Sequence, residues 1–444
     1  MSKSIFVSKR IKNFDKKIFV SGDKSISIRW VLFASIANGI SRAQNLLMSE
    51  DVIAAIKAIK KLGIKVHLKN KICKIYGKNI NGFKYKKNIT INAQNSGTLG
   101  RLILGLLINT PFPIKIIGDN SLSKRDFKRI ADPLSKFGTK FKLRNNKTLP
   151  LTLYGSSKLR PIKYIENKGS AQCKSAILLG GMRTNGTTFI KAKKSRSHTE
   201  LLCKYLKLPI KIENKKNYDL IKISKVKKIK PINYNIPSDI SSGAFFMVLT
   251  ALTKKSKLTI KNVNINPVRI GVITILKKMG VRIKFKNIKT YKGEKKADIK
   301  IQSSNNLKSI NCPAKLNAGA IDEFLVIFLV AAKAKGISYF KNLGELNQKE
   351  SPRLKWGAKI LKEIGIKTIV TKNSIRIFGN PNLMVNKKIT IKNYLKDHRV
   401  FMTCVIAALV FDGKSTWCIH DKDSIKSSFP NFLKIIKDLN NENS

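Results

Sequence analysis

Ser21-Gly22-Asp23-Lys24-Ser25-Ile26-Ser27-Ile28-Arg29 is the stretch on which the reading of this chain turns. The apolar run Ile18-Phe19-Val20 leads into it, and a helical pattern, Trp30-Val31-Leu32-Phe33-Ala34-Ser35-Ile36-Ala37, leads out. A strand, a glycine-containing turn and a helix in that order aim backbone N–H groups and the positive helix end at whatever lies in front. Lys24, Ser25 and Arg29 add two cations and a hydroxyl at the same spot. The stretch therefore predicts an anion site. Short Gly-Asp turns are common ahead of helices, so the weight of this one comes from its recurrence.

Six times along the chain a small polar turn opens an apolar helix and a short strand follows. The openings are Ser25-Ile26-Ser27, Asn95-Ser96-Gly97-Thr98, Gly169-Ser170-Ala171-Gln172, Asp239-Ile240-Ser241-Ser242, Ala320-Ile321-Asp322-Glu323 and Lys396-Asp397-His398-Arg399. A second, amphipathic helix follows in most units, as in Val52–Gly63, Ile270–Gly280 and Leu354–Gly365. The glycine at each end suits a left-handed C-cap. The unit reads as β-α-β-α-β-β with a period of roughly 70–85 residues, longer than a solenoid repeat. The expected fold is α/β (α+β), with two domains of three units each. The boundary falls at the proline-containing Asn235-Ile236-Pro237-Ser238, giving one domain over 21–238 and another over 1–20 plus 239–444. The polar tail from Asn440 to Ser444 is expected to fray.

A chain of 444 residues exceeds one ordinary core, and 43% hydrophobic content is ample for packing. The longest apolar run, Phe324–Ala332, is far short of a membrane span of about 20 residues. The start carries no apolar leader pattern, and a cytoplasmic location is expected. Six scattered cysteines form no C-x-x-C pair and read as buried structural thiols, with no metal site. The formal net charge of +64 raises nucleic acid as a partner. Yet the lysines are spread evenly, and no nucleic-acid motif accompanies them. Specific nucleic-acid recognition is not expected, whereas salt-dependent adhesion to polyanions is.

The residues with chemistry gather on the turns that open the repeats. They are Lys24, Ser25, Arg29, Asn95, Gly97, Arg125, Ser170, Gln172, Arg196, Asp322, Lys349, Glu350, Arg353 and Arg399. Arginine forks bind phosphate and carboxylate bidentately, which lysine cannot imitate. Any one of these arginines alone reads as a solvated surface residue. Together, on recurring helix openings, they suit a small substrate with several negative charges.

The same motifs resemble the 3-phosphoshikimate 1-carboxyvinyltransferase (5-enolpyruvylshikimate-3-phosphate synthase) family over nearly the whole chain. The motifs are Gly22–Ser27, Asn95–Thr98, Ser170–Lys174, Arg196–Glu200, Asp239–Ser242, Asp322-Glu323, Lys349-Glu350-Ser351, Asp397-His398-Arg399 and Ser428-Phe429-Pro430. The resemblance implies two three-repeat domains closing over a cleft, and transfer of the enolpyruvyl group of phosphoenolpyruvate to the 5-hydroxyl of shikimate 3-phosphate. It assigns Lys24, Ser25, Arg29, Ser170, Ala171, Gln172, Arg196, Asp322 and Lys349 to shikimate 3-phosphate. It assigns Lys24, Asn95, Gly97, Arg125, Gln172, Arg353 and Arg399 to phosphoenolpyruvate. Asp322, Glu350 and Lys24 would be catalytic, with no metal or cofactor. It further implies a monomer acting on small molecules, with glyphosate as an inhibitor at the phosphoenolpyruvate site.

Four positions depart from the family pattern. Ile28 replaces a usual histidine, Pro352 precedes Arg353, Asp126 follows Arg125 where proline is frequent, and Ser427-Ser428 stand where some members carry lysine. Of these, Asp126 sets a carboxylate beside an expected phosphate ligand. His198 and His398 lie in family motifs but read as structural hydrogen-bonders. A sister enzyme acting on UDP-N-acetylglucosamine shares the fold, but it usually carries a reactive cysteine on the loop matching Gly118–Arg129, which has none. A polyanion-binding relative without catalysis is the other alternative, and the intact Lys24, Asp322, Glu350 and Arg353 argue against it.

Overall fold

The computed structural model describes residues 3–69 and 72–441, so residues 442–444 of the polar tail lie outside the described residues. The chain divides into two compact units. The N-terminal unit comprises Gly22–Ile236 with Tyr291–Glu294, and the C-terminal unit the described residues of Met1–Ser21, Pro237–Thr290 and Lys295–Ser444.

The N-terminal unit is built of three four-stranded sheets, each with one parallel pair and two antiparallel pairs. Ile89–Asn92 runs parallel to Ile114–Ile117, and the hairpin of Lys140–Arg144 and Thr148–Tyr154 completes that sheet. Lys163–Glu166, Thr187–Lys193, Tyr218–Ser224 and Ile210–Asn214 repeat the arrangement. The first repeat borrows its leading strand. The run before the opening turn, Asp15–Ile18, pairs instead with Lys257–Asn264 in the C-terminal unit. Asn233–Asn235 takes the vacant edge beside Asn38–Gln44.

The opening helices are apolar nearly all round, the signature of a helix enclosed on every side. In Lys24–Ser35 all residues but the first are buried. Their starts share one device. Side chains of Asp23, Ser96, Ser170, Asp239 and Asp397 accept from backbone N–H groups of Ile26, Leu99, Cys173, Ser241 and Arg399 at 2.7–3.3 Å. Such caps satisfy donors that a buried helix end would otherwise leave orphaned. The remaining opening, the fifth, starts its helix at Glu323 with no side-chain cap among the described residues. After the amphipathic helices, Gly63, Gly280 and Gly365 adopt φ of 83–89°, where a β-carbon would be strained.

In the C-terminal unit one sheet has four strands, ordered Arg282–Tyr291, Glu294–Gln302, Lys257–Asn264 and Asp15–Ile18. The other two have three. Gly336–Phe340, Ile375–Gly379 and Thr368–Val370 form one of them. The last repeat departs from the expected pattern: after Lys388–Ile391 and Thr416–Ile419 the chain forms the helix Phe432–Asn440, and Ile5–Val7 pairs antiparallel with Thr416–Ile419. Each unit has its own apolar core. All six cysteines are free thiols, five of them buried. Among the described residues no helix is long and apolar enough to cross a membrane.

Candidate active-site clusters

In the N-terminal unit, Lys24 starts its helix with Nζ 3.0 Å from Asp51 Oδ2. Ser25 is buried behind it, and Arg29, one turn further on, is only 3% exposed. The Arg29 guanidinium donates from Nη1 to the Ser25 carbonyl at 3.0 Å, from Nε to Thr199 Oγ1 at 2.8 Å, and from Nη2 to Ser175 Oγ at 3.0 Å. Burial pulls its pKa down to about 10, against an upward pull led by Glu200. It remains a cation at neutral pH. Arg196, half-buried, adds a second positive charge that acts on Arg29.

Two further contacts join the second and third openings. Gln172 donates from Nε2 to Thr98 Oγ1 at 3.1 Å and accepts from Arg101 Nη1 at 2.5 Å. Arg125 donates from Nη2 to Asn95 Oδ1 at 2.9 Å. Gly97 lies between these groups: a β-carbon there would stand 3.3 Å from Arg125 Nη1 and 3.4 Å from Arg101 Nη1. Ser170 caps the helix in which Ala171 and Gln172 are the first two residues. Arg101 is absent from the sequence-derived set. Its signal was available, since it lies four residues after Gly97 on one helix and so shares a face with it.

The C-terminal unit holds a denser cluster. Arg353, 1% exposed, donates from Nε to Asp397 Oδ2 at 2.9 Å and from Nη2 to Asp397 Oδ1 at 3.2 Å. Its Nη1 lies 3.3 Å from Asp322 Oδ1, and its Nη2 also donates to Glu350 Oε2. Lys349 Nζ is 3.4 Å from the same Asp322 oxygen. Arg399 donates from Nη1 to the Asp322 carbonyl at 2.7 Å and stands 3.8 Å from Glu323 Oε1. All five C-terminal candidates thus share one network. Burial alone would raise the Asp397 carboxyl, but the Arg353 guanidinium overrides it and holds that carboxyl below the ordinary range. Arg353 itself is pushed upward: burial opposes its charge, and Asp397 and Glu350 outweigh burial. Asp397 was read only as part of a motif; here it is the main partner of Arg353.

The four departures from the family pattern have local explanations. Ile28 is fully buried in the core. Pro352 sits at the N-cap of the Arg353–Glu363 helix, where its missing N–H costs nothing. The Asp126 carboxylate accepts from the Arg129 N–H at 3.1 Å, so it caps a helical turn. Ser427 Oγ meets His398 Nδ1 at 3.2 Å. His198 Nδ1 pairs with Glu294 Oε1 at 2.6 Å, both side chains buried.

Residues 8–436 match the family model for EPSP synthase (3-phosphoshikimate 1-carboxyvinyltransferase). The 3-phosphoshikimate 1-carboxyvinyltransferase of Ruthia magnifica is 39% identical, covering 98% of both chains. That of Caldicellulosiruptor bescii is 37% identical over 96% of each. A solved EPSP synthase from Acinetobacter baumannii superimposes with a TM-score of 0.84 at 33% identity over 98% of each chain. The enolpyruvyl transferase NikO from Streptomyces tendae, 14% identical with a TM-score of 0.75, shares the fold. Matched along nearly its entire length by family model, sequence and structure, the chain belongs to the EPSP synthase family.

Proposed function

We propose that the two clusters divide one reaction between them. The reaction is that of the family: the enolpyruvyl group of phosphoenolpyruvate passes to the 5-hydroxyl of shikimate 3-phosphate, and phosphate leaves. Lys24, Ser25, Arg29, Ser170, Ala171, Gln172 and Arg196, with Asp322 and Lys349, hold shikimate 3-phosphate. Lys24, Asn95, Gly97, Arg125, Gln172, Arg353 and Arg399 hold phosphoenolpyruvate. The observation that carries this reading is the Arg353 network, which gathers two candidate proton-transfer carboxylates, Asp322 and Glu350, on one guanidinium.

The chemistry needs such a pair. Protonation of the phosphoenolpyruvate methylene carbon makes the neighbouring carbon electrophilic, and removal of the 5-hydroxyl proton makes the oxygen a nucleophile. The C–O bond forms to give a tetrahedral adduct. That adduct then loses a proton from the new methyl group and expels phosphate, restoring the double bond. We assign the carbon proton to Glu350 and the hydroxyl proton to Asp322. Both side chains keep partial exposure, 16% and 14%, beside a fully enclosed arginine. The surrounding cations stabilise charge as it develops on carboxylate and phosphate. We read the protein as acting on these small molecules as a monomer. Phosphate release tests the reading: shikimate 3-phosphate with phosphoenolpyruvate should release it, and UDP-N-acetylglucosamine with phosphoenolpyruvate should not.

Two predictions follow from the charge and from Gly97. Both substrates are anions and the chain carries +64, so both KM values should rise with ionic strength as the field is screened. KM values that stayed flat from low to high salt would remove the field from function. We also read glyphosate as an inhibitor at the phosphoenolpyruvate site. A methyl group on Gly97 would press on the ends of two flexible guanidiniums, which can yield. Glyphosate is longer than phosphoenolpyruvate and tolerates that narrowing less. An overpacking cost of about 1–3 kcal/mol corresponds to roughly 5–150-fold in its inhibition constant. Gly97→Ala should therefore raise that constant more than the KM for phosphoenolpyruvate, and equal changes would take Gly97 out of the pocket wall.

A further inference from the structure

Beneath the anion-binding turns of the N-terminal unit lies a buried ion pair that the reaction itself does not use. Lys174 Nζ stands 2.6 Å from Glu200 Oε1, with side-chain exposures of 0% and 3%. Beyond each other, neither charged group has a hydrogen-bond partner among the described residues. Next along the same two helices, Ser175 Oγ meets Thr199 Oγ1 at 2.7 Å. The helices Ala171–Gly181 and His198–Tyr205 are thus joined by two adjacent rungs, one ionic and one of hydroxyls. Arg29 grips the hydroxyl rung at both ends, 2.8 Å from Thr199 Oγ1 and 3.0 Å from Ser175 Oγ.

The spacing ties this bracket to the turns above it. Arg29, Lys174 and Glu200 each lie four residues after an assigned shikimate 3-phosphate ligand: Ser25, Ser170 and Arg196. On a helix that interval is one turn; Ser25 and Ser170 stand at the starts of theirs, while Arg196 lies just ahead of the Ser197 N-cap. Two of the three links are hydrogen bonds to the turn's backbone carbonyls, from the Arg29 side-chain Nη1 to Ser25 at 3.0 Å and from the Lys174 N–H to Ser170 at 3.1 Å. Buried ion pairs add little net stability over apolar side chains of similar volume. The worth of this one lies in orientation.

We propose that the Lys174–Glu200 pair is a positioning device for shikimate 3-phosphate. It sets the rotation of two opening helices against each other, and through the hydroxyl rung it holds Arg29 and the Ser25 turn in register. The inference rests on the reading that the Ser25 and Ser170 turns bind that substrate. Glu200 is also the leading negative charge that pulls the Arg29 pKa upward against burial.

Steady-state kinetics on three variants tests it, with thermal unfolding alongside. Lys174→Met/Glu200→Met leaves no unpaired buried charge and should keep a melting temperature near that of the wild type. Its KM for shikimate 3-phosphate should rise about tenfold while the KM for phosphoenolpyruvate stays within about twofold. A rise shared equally by both substrates, or a KM for shikimate 3-phosphate within twofold of the wild type, would overturn the proposal by leaving the pair a purely structural role. Should the double variant fail to fold, Lys174→Gln/Glu200→Gln removes both charges while leaving polar groups that can bond each other, and gives the same readout. Ser25→Ala separates the two layers of the argument. If it leaves the KM for shikimate 3-phosphate unchanged, the turn assignment fails and this inference falls with it. If it raises that KM and the double variant does not, the pair alone is wrongly assigned.

Discussion

Glu350→Gln should lower turnover by about 10²–10⁴-fold with little change in affinity for shikimate 3-phosphate. Glutamine has nearly the shape of glutamate, and its carbonyl can still accept from Arg353 Nη2, the bond Glu350 makes now. The neighbouring arginine keeps two bonds to Asp397, so the network around it should hold its place. What disappears is the titratable proton. If Glu350 delivers that proton to the methylene carbon and later removes one from the methyl group, both halves of the reaction suffer and the loss appears in kcat. Turnover within threefold of the wild type would reject the role. A fall in kcat matched by a large rise in the KM for shikimate 3-phosphate would show instead that the side chain serves to bind.

Much of this architecture could be read from local chemistry alone. The opening turns are legible because a helix start needs a short polar side chain to satisfy its free N–H groups. Asp23, Ser96, Ser170, Asp239 and Asp397 all fill that need. The helix ends are legible for a similar reason, since Gly63, Gly280 and Gly365 each take a left-handed conformation. Strand partnership was less accessible. Asn233–Asn235 joins Asn38–Gln44 across 191 residues, and nothing in the short run Asn-Tyr-Asn announces which distant edge it fills. Residues 1–20 read as belonging with the C-terminal half, but nothing in their sequence shows that Asp15–Ile18 pairs with Lys257–Asn264. The strand's alternation suits an edge equally well on either sheet.

Among the site residues, those on the opening turns were visible by type and spacing, whereas their partners were not. Asp51 and Asp397 each complete a charge that the sequence had already singled out, while Arg101, legible only through its helix spacing from Gly97, donates to the neutral Gln172. Pairing of this kind depends on which helices pack side by side, and Arg353 reaches Asp397 across 44 residues. Asp126 shows the converse. Its position beside Arg125 suggested interference with an anion, yet a local backbone N–H takes up one of its oxygens. Adjacency in sequence is a poor guide to where a side chain points, while helix spacing is a good one.

The removal of Asp397 should be among the most damaging single changes this protein can suffer. Its carboxylate is fully buried. It accepts from Arg353 Nε and Nη2, from the Ser351 N–H at 3.2 Å and hydroxyl at 2.8 Å, and from the Arg399 N–H at 3.0 Å. Asp397→Ala strips five donors of their acceptor and leaves Arg353 with a deficit of negative charge in a water-poor site. Breaking a buried pair on one side costs about 3–5 kcal/mol, and loss of the helix cap adds about 1 kcal/mol. Asp397→Asn isolates the charge, since it keeps the shape and one cap acceptor but turns N–H toward a guanidinium. The pH dependence has a definite sign. The folded-state carboxyl titrates below its ordinary value, so its stabilisation is fully present above the unfolded pKa of about 3.9 and is lost as pH falls through the lower folded value. Urea unfolding of the wild type and Asp397→Asn should show a stability gap that is constant from about pH 5 to pH 8 and closes only in acid. A gap that widened on acidification, or one already absent at neutral pH, would mean that Asp397 is not the anion on which Arg353 depends.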